Sequence, residues 1–249
     1  MIHTVDVCVP TLQPLSAEWE EHIKQRIPLH ELLRSNVKGR GAARQDLVQR
    51  VTTEFFVFVD DDVWLRPNWW HEVTAMMDAR TGAVEGLWSY GKDDPRVEAY
   101  GAAMMRLARL LQRPPWTERV GRAFTGDALI RTSAVQDIRI PSVHHYEDEF
   151  IRRHVESKGY QWHRTTTVVC DHRRKYNLTE AYETGRHGYY FGFLDPWHQT
   201  GKFVLSLAKA AIATAMTGRL DVASFEFTRA RLMLRGVLHA HVQRWRHSV

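Results

Sequence analysis

The run Phe55-Phe56-Val57-Phe58-Val59, followed at once by Asp60-Asp61-Asp62, constrains this chain more than any other stretch. Five aromatic and β-branched residues in a row read as a buried strand. Carboxylates at the C-terminal end of such a strand sit where open α/β sheets bind ligands. Three like charges this close are costly unless something positive neutralises them. A hard divalent cation such as Mg²⁺ or Mn²⁺ prefers carboxylate oxygen and would in turn hold a diphosphate. The plainer alternative is a solvated acidic turn.

The surrounding pattern supports a ligand site. A first strand is expected from Thr4 to Val9, ended by Pro10-Thr11, and a helix capped by Ser16 follows to about Gln25. A second strand fits His30 to Arg34. After the basic loop Ser35 to Gly41, a helix from Ala42 to about Val51 leads into the Asp60 strand. Pro67 opens another helix to about Ala79, and Gly82 to Tyr90 reads as a strand. Helical periodicity returns from Tyr100 to Gln112 and is broken by Arg113-Pro114-Pro115. Phe124 to Arg131 reads as strand or loop, Glu147 to Lys158 as a helix stopped by Gly159, and Trp162 to Cys170 as a strand. The alternation predicts an α/β fold with a mostly parallel sheet flanked by helices.

The last third changes character. Ala181 to Phe193 is aromatic with little strand pattern, and Phe203 to Thr217 is apolar and Ala-rich, interrupted by Lys209. That stretch is shorter than the roughly 20 apolar residues a membrane span needs. Asp221 to Trp245 reads as a helix with Ala230, Leu234, Val237, Leu238, His241 and Trp245 on one face. Arg231, Arg235 and Arg246 cluster on another. Two readings stay open: a hairpin that packs on the domain, or a basic, aromatic foot on a membrane surface. The expected division is a catalytic domain over residues 1–200 and a helical appendage over 201–249.

A net charge of +5 suits nucleotides, phosphates or an anionic surface and is too weak to argue for nucleic acid. Cys8 and Cys170, the two cysteines, lie in apolar runs and are expected to be small buried hydrophobes. Met1 to Asp6 does not read as a signal peptide. The expected location is cytoplasmic, with the inner face of the cell membrane as a further option.

Four motifs resemble family 2 glycosyltransferases of the GT-A fold. Val7-Cys8-Val9-Pro10-Thr11 looks like the opening strand, and Gly39-Arg40-Gly41-Ala42-Ala43-Arg44-Gln45 is similar to the Gly-x-x-x-Ala-Arg-Asn helix start. Val57 to Asp62 matches the Asp-x-Asp motif, and Tyr146-Glu147-Asp148-Glu149-Phe150 resembles the Glu-Asp motif. They occur in the expected order across roughly residues 4 to 172. The resemblance implies a Mn²⁺- or Mg²⁺-dependent transfer from a nucleoside-diphosphate sugar, GDP- or UDP-linked, to a glycan or lipid-linked acceptor. It places Asp62 on the metal, and Asp60 nearer the ribose or the metal's waters. Pro10, Thr11, Arg40, Arg44 and Asp61 fall on the donor side. Asp148 becomes the general base and Glu147 an acceptor contact. Gly126-Asp127 resembles the segment that lines donor sugar and acceptor, although a structural turn fits equally. His172 could complete the metal site, with Arg173 and Lys175 on the diphosphate, or Asp171 to Lys175 could be a solvated basic turn.

The chemistry agrees with these roles. Charge grows on the diphosphate leaving group in the transition state, so cations aimed there are the main catalytic need. Asp60 and Asp62 would point the same way along an extended strand. Trp69, Trp70, Trp88, Trp116 and Trp162 could stack on sugar rings, but most are expected in the core. Two departures from the family stand out. Arg34-Ser35-Asn36 lacks the acidic residue that often reads the base, and Gln45 replaces Asn. A single base implies inversion, with a retaining relative left open. A nucleotidyltransferase would carry a Gly-rich loop after the first strand, which Thr11-Leu12-Gln13-Pro14 does not. A non-enzymatic basic binder of membrane or nucleic acid is the remaining alternative.

Overall fold

The computed structural model describes residues 2–90, 94–111, 122–173 and 177–246, without the side chains of Tyr90, Trp245 and Arg246. Trp116, the Arg113-Pro114-Pro115 break, Lys175 and the side chain of Trp245 therefore lie outside the described residues. The chain forms two compact units, residues 1–89 with 116–173, and residues 90–115 with 174–249. The division expected at residue 200 falls inside a continuous helix, and the helical unit also takes in residues 90–115.

The α/β unit begins with β1 (Val5–Pro10), α1 (Ala17–Lys24), β2 (Leu29–Ser35), α2 (Arg40–Arg50) and β3 (Phe55–Val59). It continues through β4 (Val63–Leu65), α3 (Trp69–Ala75) and β5 (Thr81–Tyr90). The helical unit contributes α4 (Pro95–Leu110). The chain then returns as β6 (Asp127–Arg131), α5 (Glu147–Ser157) and β7 (Gln161–His172), and ends in α6 (Leu178–Tyr190), α7 (Pro196–Thr217) and α8 (Leu220–Arg246). The strands form one sheet in the order β2-β1-β3-β6-β5-β7-β4. β1 runs parallel to β2 and to β3. Antiparallel β6 joins β3 to β5, and β4 pairs antiparallel with β7.

Alternation along the strands builds two apolar layers. Cys8, Phe56, Phe58 and Ile130 face one layer with Leu47 of α2 and Ile151 of α5. Val7, Val9, Val57, Val59 and Leu129 face the other with Trp19 and Ile23 of α1 and Trp69 and Val73 of α3. Each fully buried large side chain contributes roughly 1.5–3 kcal/mol. β3 is buried on both faces, which is why its sequence is continuously apolar. Ser16 caps α1 by accepting from Trp19 N at 3.1 Å.

Two elements differ from expectation. β4 falls between the aspartates and the Pro67 helix, where no strand was expected. It is three residues long, and pairing with β7 rather than local pattern makes it a strand. Residues 178–190 are helical, with Asn177 accepting from Thr179 N at 3.0 Å as cap. Glycines and aromatics hide that helix from propensity. They are there for packing: a Cβ on Gly185 would stand 2.0 Å from Met233 O, and one on Gly236 would stand 2.1 Å from Tyr182 O. α6 and α8 therefore meet backbone to backbone. This crossing also corrects the expected stripe on α8. Ala230, Val237 and Ala240 are buried, but Leu238 and His241 are exposed. Among the described residues, no helix is long and apolar enough to cross a membrane.

Candidate active site

The three aspartates leave β3 in a turn, with Val63 N donating to Asp60 O at 3.0 Å. The strand alternation expected for Asp60 and Asp62 therefore does not apply. Each carboxylate takes a different partner. Asp60 accepts from Arg44 Nη2 at 2.9 Å, Asp61 accepts from the Thr11 hydroxyl, and Asp62 Oδ1 lies 3.1 Å from His172 Nε2. Thr11 is held at the end of β1 by its own N–H, which donates to Ser35 O at 3.0 Å. His172 reaches Asp62 because the β4–β7 register sets it opposite Val63.

Arg44 ties this turn to the start of α5. Its side chain is 3% exposed and lies 5.6 Å above the Phe58 ring. Nη1 donates to Glu147 at 3.1 Å, and Nη2 stands 4.0 Å from Asp148 Oδ1. Burial pulls against the guanidinium's charge, but Asp60, Glu147 and Asp148 outweigh it and raise its pKa. The same burial lifts Asp60 above the usual carboxylate range despite Arg44. Glu147 is pushed up to about 7, by burial first and then by the neighbouring Asp148 charge.

Arg44 sits here because α2 is pressed against residues 140–143. Gly41 N donates to Val143 O at 3.0 Å, and a Cβ on Gly41 would meet Pro141 O at 2.0 Å. Gln45 accepts from Ile140 N at 2.6 Å, so its longer side chain has a backbone partner of its own. The chain then enters α5 through Tyr146, which adopts φ +70° although it is not a glycine. Such backbone persists only where its surroundings enforce it; here the buried ring lies under the Arg122 guanidinium at 4.3 Å. The acidic triplet beyond it is not simply a helix-dipole complement. Glu147 serves Arg44 and Asp148 accepts from the Thr125 hydroxyl at 2.5 Å, while Glu149 pairs within α5 with Arg152 and Arg153.

Residues 122–127 form the wall between the two carboxylate groups. Phe124 stacks on Trp88 with ring centroids 4.2 Å apart, and His172 lies edge-on to Trp88 at 4.9 Å. A Cβ on Gly126 would stand 2.3 Å from the Phe124 ring and 2.9 Å from the Asp60 carboxylate, so a larger residue here would displace both side chains. Its carbonyl accepts from Asp60 N at 2.9 Å.

The expected site residues thus fall into groups. Thr11, Arg44, Asp60, Asp61, Asp62, Gly126, Glu147, Asp148 and His172 are linked by direct contacts, and Pro10 and Arg40 stand at the ends of the elements that deliver them. Asp127 is not brought to this cluster. It is fully buried and accepts from Trp69 Nε1 at 3.1 Å and from Cys170 Sγ at 2.9 Å, and burial holds its pKa well above the usual range. Arg173 lays its guanidinium 4.1 Å over Trp64, while its N–H donates to Asp62 O at 2.8 Å. Trp69 and Trp162 are core residues. Cys8 and Cys170 are free and buried. Sequence reading missed Thr125, Phe124 and the pairing role of Trp88; nothing local distinguishes a threonine that meets a carboxylate 23 residues away. Among the described residues, one trio of imidazole and carboxylate ligand atoms converges within 4.8 Å: Asp6, His30 and Glu31. It lies at the opposite end of β1, where Asp6 is already satisfied by the N–H groups of Thr52 and Thr53.

An α/β sheet with an acidic turn at the end of β3, faced by a second acidic cluster on α5, defines a nucleotide-sugar transferase fold of the GT-A type. A family model described as glycosyl transferase family 2 matches residues 15–139, half of the sequence, and the chain belongs to that family. Among solved structures it is similar to the mannosyltransferase PcManGT from Pyrobaculum calidifontis in complex with GDP-Man and Mn²⁺. The TM-score is 0.58 at 13% identity, covering 96% of this chain and 87% of that one. It is also similar to glucosyl-3-phosphoglycerate synthase from Mycobacterium tuberculosis in complex with Mn²⁺, UDP and phosphoglyceric acid. There the TM-score is 0.50 at 14% identity, covering 73% and 74%. The same synthase with Mg²⁺ and UDP gives a TM-score of 0.50 at 13% identity, covering 73% and 75%. At these identities the likeness is one of fold. No curated protein matches the sequence.

Proposed function

We propose that this glycosyltransferase moves a sugar from a GDP- or UDP-sugar to an acceptor hydroxyl with inversion, using Asp148 as general base. The observation that carries the reading is the Arg44 bridge. One buried guanidinium holds Asp60 at the strand end and Glu147 at the helix start, with Asp148 4.0 Å away. The bridge sets a carboxylate cluster suited to a donor diphosphate beside a second one suited to an acceptor. On the α5 side of the cluster, Asp148 has a hydroxyl donor, Thr125, which orients one oxygen and leaves the second to take an acceptor proton.

The donor set fits Mn²⁺ or Mg²⁺: two carboxylates and an imidazole, of which Asp62 and His172 are already adjacent. Asp62 is the favoured ligand, since Asp60 would first have to leave Arg44. The ion, when bound, supplies positive charge to the leaving diphosphate. Arg40 and Arg44 add positive charge from α2. The Thr11 hydroxyl holds Asp61 away from that charge centre.

The acceptor is proposed to be a glycan or lipid-linked hydroxyl, met at an anionic membrane surface through α7 and α8. Trp197 is 87% exposed and Val204 59% exposed on α7, which contains Lys202 and Lys209 and no acidic residue. The test is transfer and donor hydrolysis across a panel of UDP- and GDP-sugars with Mn²⁺ or Mg²⁺, with the product anomer read by NMR. Metal-dependent turnover of one donor with inverted configuration is expected. Retention would move the role of Asp148, and silence with every donor would return the chain to a non-enzymatic binder.

A further inference from the structure

Glu85 lies at the middle of β5 and is fully buried, in a strand whose neighbours Ala83, Val84 and Leu87 are apolar. A carboxylate there needs several donors, and it has them. Its Oε2 accepts from Phe124 N at 2.7 Å and from Trp162 Nε1 at 2.8 Å, and its Oε1 accepts from Arg164. Arg164 Nη2 also donates to Arg122 O at 2.9 Å. The pair therefore grips the backbone of one short segment at two points, residues 122 and 124.

That segment touches both halves of the candidate site. Phe124 stacks on Trp88 beside His172, Thr125 donates to Asp148, and Gly126 lies against Asp60. Among the described residues it is otherwise held by Ala123 in the core, by the Arg122 guanidinium over Tyr146 and by the contacts just named. Ladder pairing with β3 begins only at Asp127, and the Gly126 carbonyl is the bond to Asp60 N already described.

We infer that Glu85 and Arg164 are positioning residues that hold segment 122–126 in register, so that Thr125 aims Asp148 while Phe124 walls His172. The inference rests on Asp148 being the base. It assigns the pair no contact with substrate; the pair acts through the segment. A small displacement of a reacting group can cost about 10²-fold in rate.

The test uses the full chain with two changes. Glu85→Met with Arg164→Met removes both charges together, so neither is left buried alone. Arg164→Lys is measured alongside, because it keeps the charge pair but cannot reach Glu85 and Arg122 O at once. The double variant is expected to lower kcat about 10–100-fold while donor KM and the Kd for nucleotide with Mn²⁺ stay within about 3-fold. Arg164→Lys is expected to lose kcat in the same sense and by less. Glu85→Gln, which keeps an acceptor for Phe124 N and Trp162 Nε1 but takes the carboxylate from Arg164, is expected to lose less kcat than the double variant. Amide exchange at residues 122–127 should rise about 10-fold against β1 and β3. Unchanged kcat in both arginine variants, or donor affinity falling in step with kcat, overturns the inference. So does unchanged exchange at 122–127, and that readout holds even if the wild type transfers no sugar, a result that would instead count against Asp148 as base.

Discussion

The two units of this chain depart from the hydrophobic rule to different degrees and in different places. The α/β unit buries the larger set of ionisable side chains: Asp6, Arg44, Glu85, Asp127, Glu147, Glu149 and Asp171 are all below 9% exposed, against Asp94 and Glu226 among the described residues of the helical unit. The helical unit exposes apolar surface. Trp197, Val204, Leu205, Leu220 and Leu238 are each more than 40% exposed, whereas the α/β unit shows Leu12 and Val37 among the described residues. Buried ion pairs seldom add stability over apolar packing, so a unit that carries several has been shaped by something other than stability. Exposed apolar groups along α7 and α8 are instead the kind of surface for which a partner is proposed. The comparison supports the proposal of chemistry in one unit and of surface contact in the other.

The largest effect should separate them at once. Asp62→Ala is expected to abolish Mn²⁺-dependent nucleotide binding while the melting temperature holds, as read by titration calorimetry and thermal unfolding. Binding as tight as wild type would remove Asp62 from the metal site. Asp148→Asn should lower turnover by about 10²–10⁴-fold and leave donor affinity nearly intact. Full activity would place the base elsewhere or indicate retention.

A pair of glycines tests the division of labour directly. Gly41→Ala and Gly236→Ala each drive a methyl to within about 2 Å of a carbonyl oxygen, so each should destabilise by about 1–3 kcal/mol or more. Gly41→Ala should also lower kcat, because α2 carries Arg44. Gly236→Ala should leave kcat per folded molecule unchanged, and a matched loss there would dissolve the distinction between the units.

The pH dependence is smaller and its sign follows from burial. Glu147 holds its proton to about pH 7 in the folded chain, against an ordinary value of 4.5. The folded state therefore binds more protons across that window, and this contribution to stability is lost as pH rises from about 4.5 to about 7. Without metal, Glu147→Gln should flatten that limb by on the order of 1–3 kcal/mol, measured by urea unfolding at several pH values. An unchanged slope would show that Glu147 is already ionised by Arg44.

The least effect concerns the helical unit. Arg231 and Arg235 are exposed on α8 beside Leu234 and Leu238. Each cation near an anionic bilayer contributes about 1 kcal/mol, so Arg231→Gln with Arg235→Gln should weaken binding to anionic vesicles about 30-fold and leave neutral vesicles unaffected. Negligible sedimentation of the wild type on both would leave a soluble acceptor as the proposal.

Local signals were enough for most elements and for the residue types at their ends, but not for β4 or α6. β3 is readable because burial on both faces leaves an unbroken apolar run. Ser16 announces α1, and Gly159, at φ +84°, announces the end of α5. The acidic turn and the Glu-Asp pair could be placed on strand end and helix start from their neighbours alone. Which carboxylate meets which cation could not. Arg44 and Glu147 are 103 residues apart, and Asp62 meets His172 only through a three-residue strand too short to have a pattern. Asp127, next to Gly126 in the motif, turns into the core because antiparallel pairing sets it directly opposite Val59, on the face that carries Trp69 and Cys170. Glu85 shows the same limit from the other side. A charge inside an apolar strand signals a hidden partner, but only the folded sheet brings Arg164, Trp162 and Phe124 to it. Side-chain periodicity is a property of one element; pairing across elements depends on register and crossing, which a local stretch of sequence does not encode.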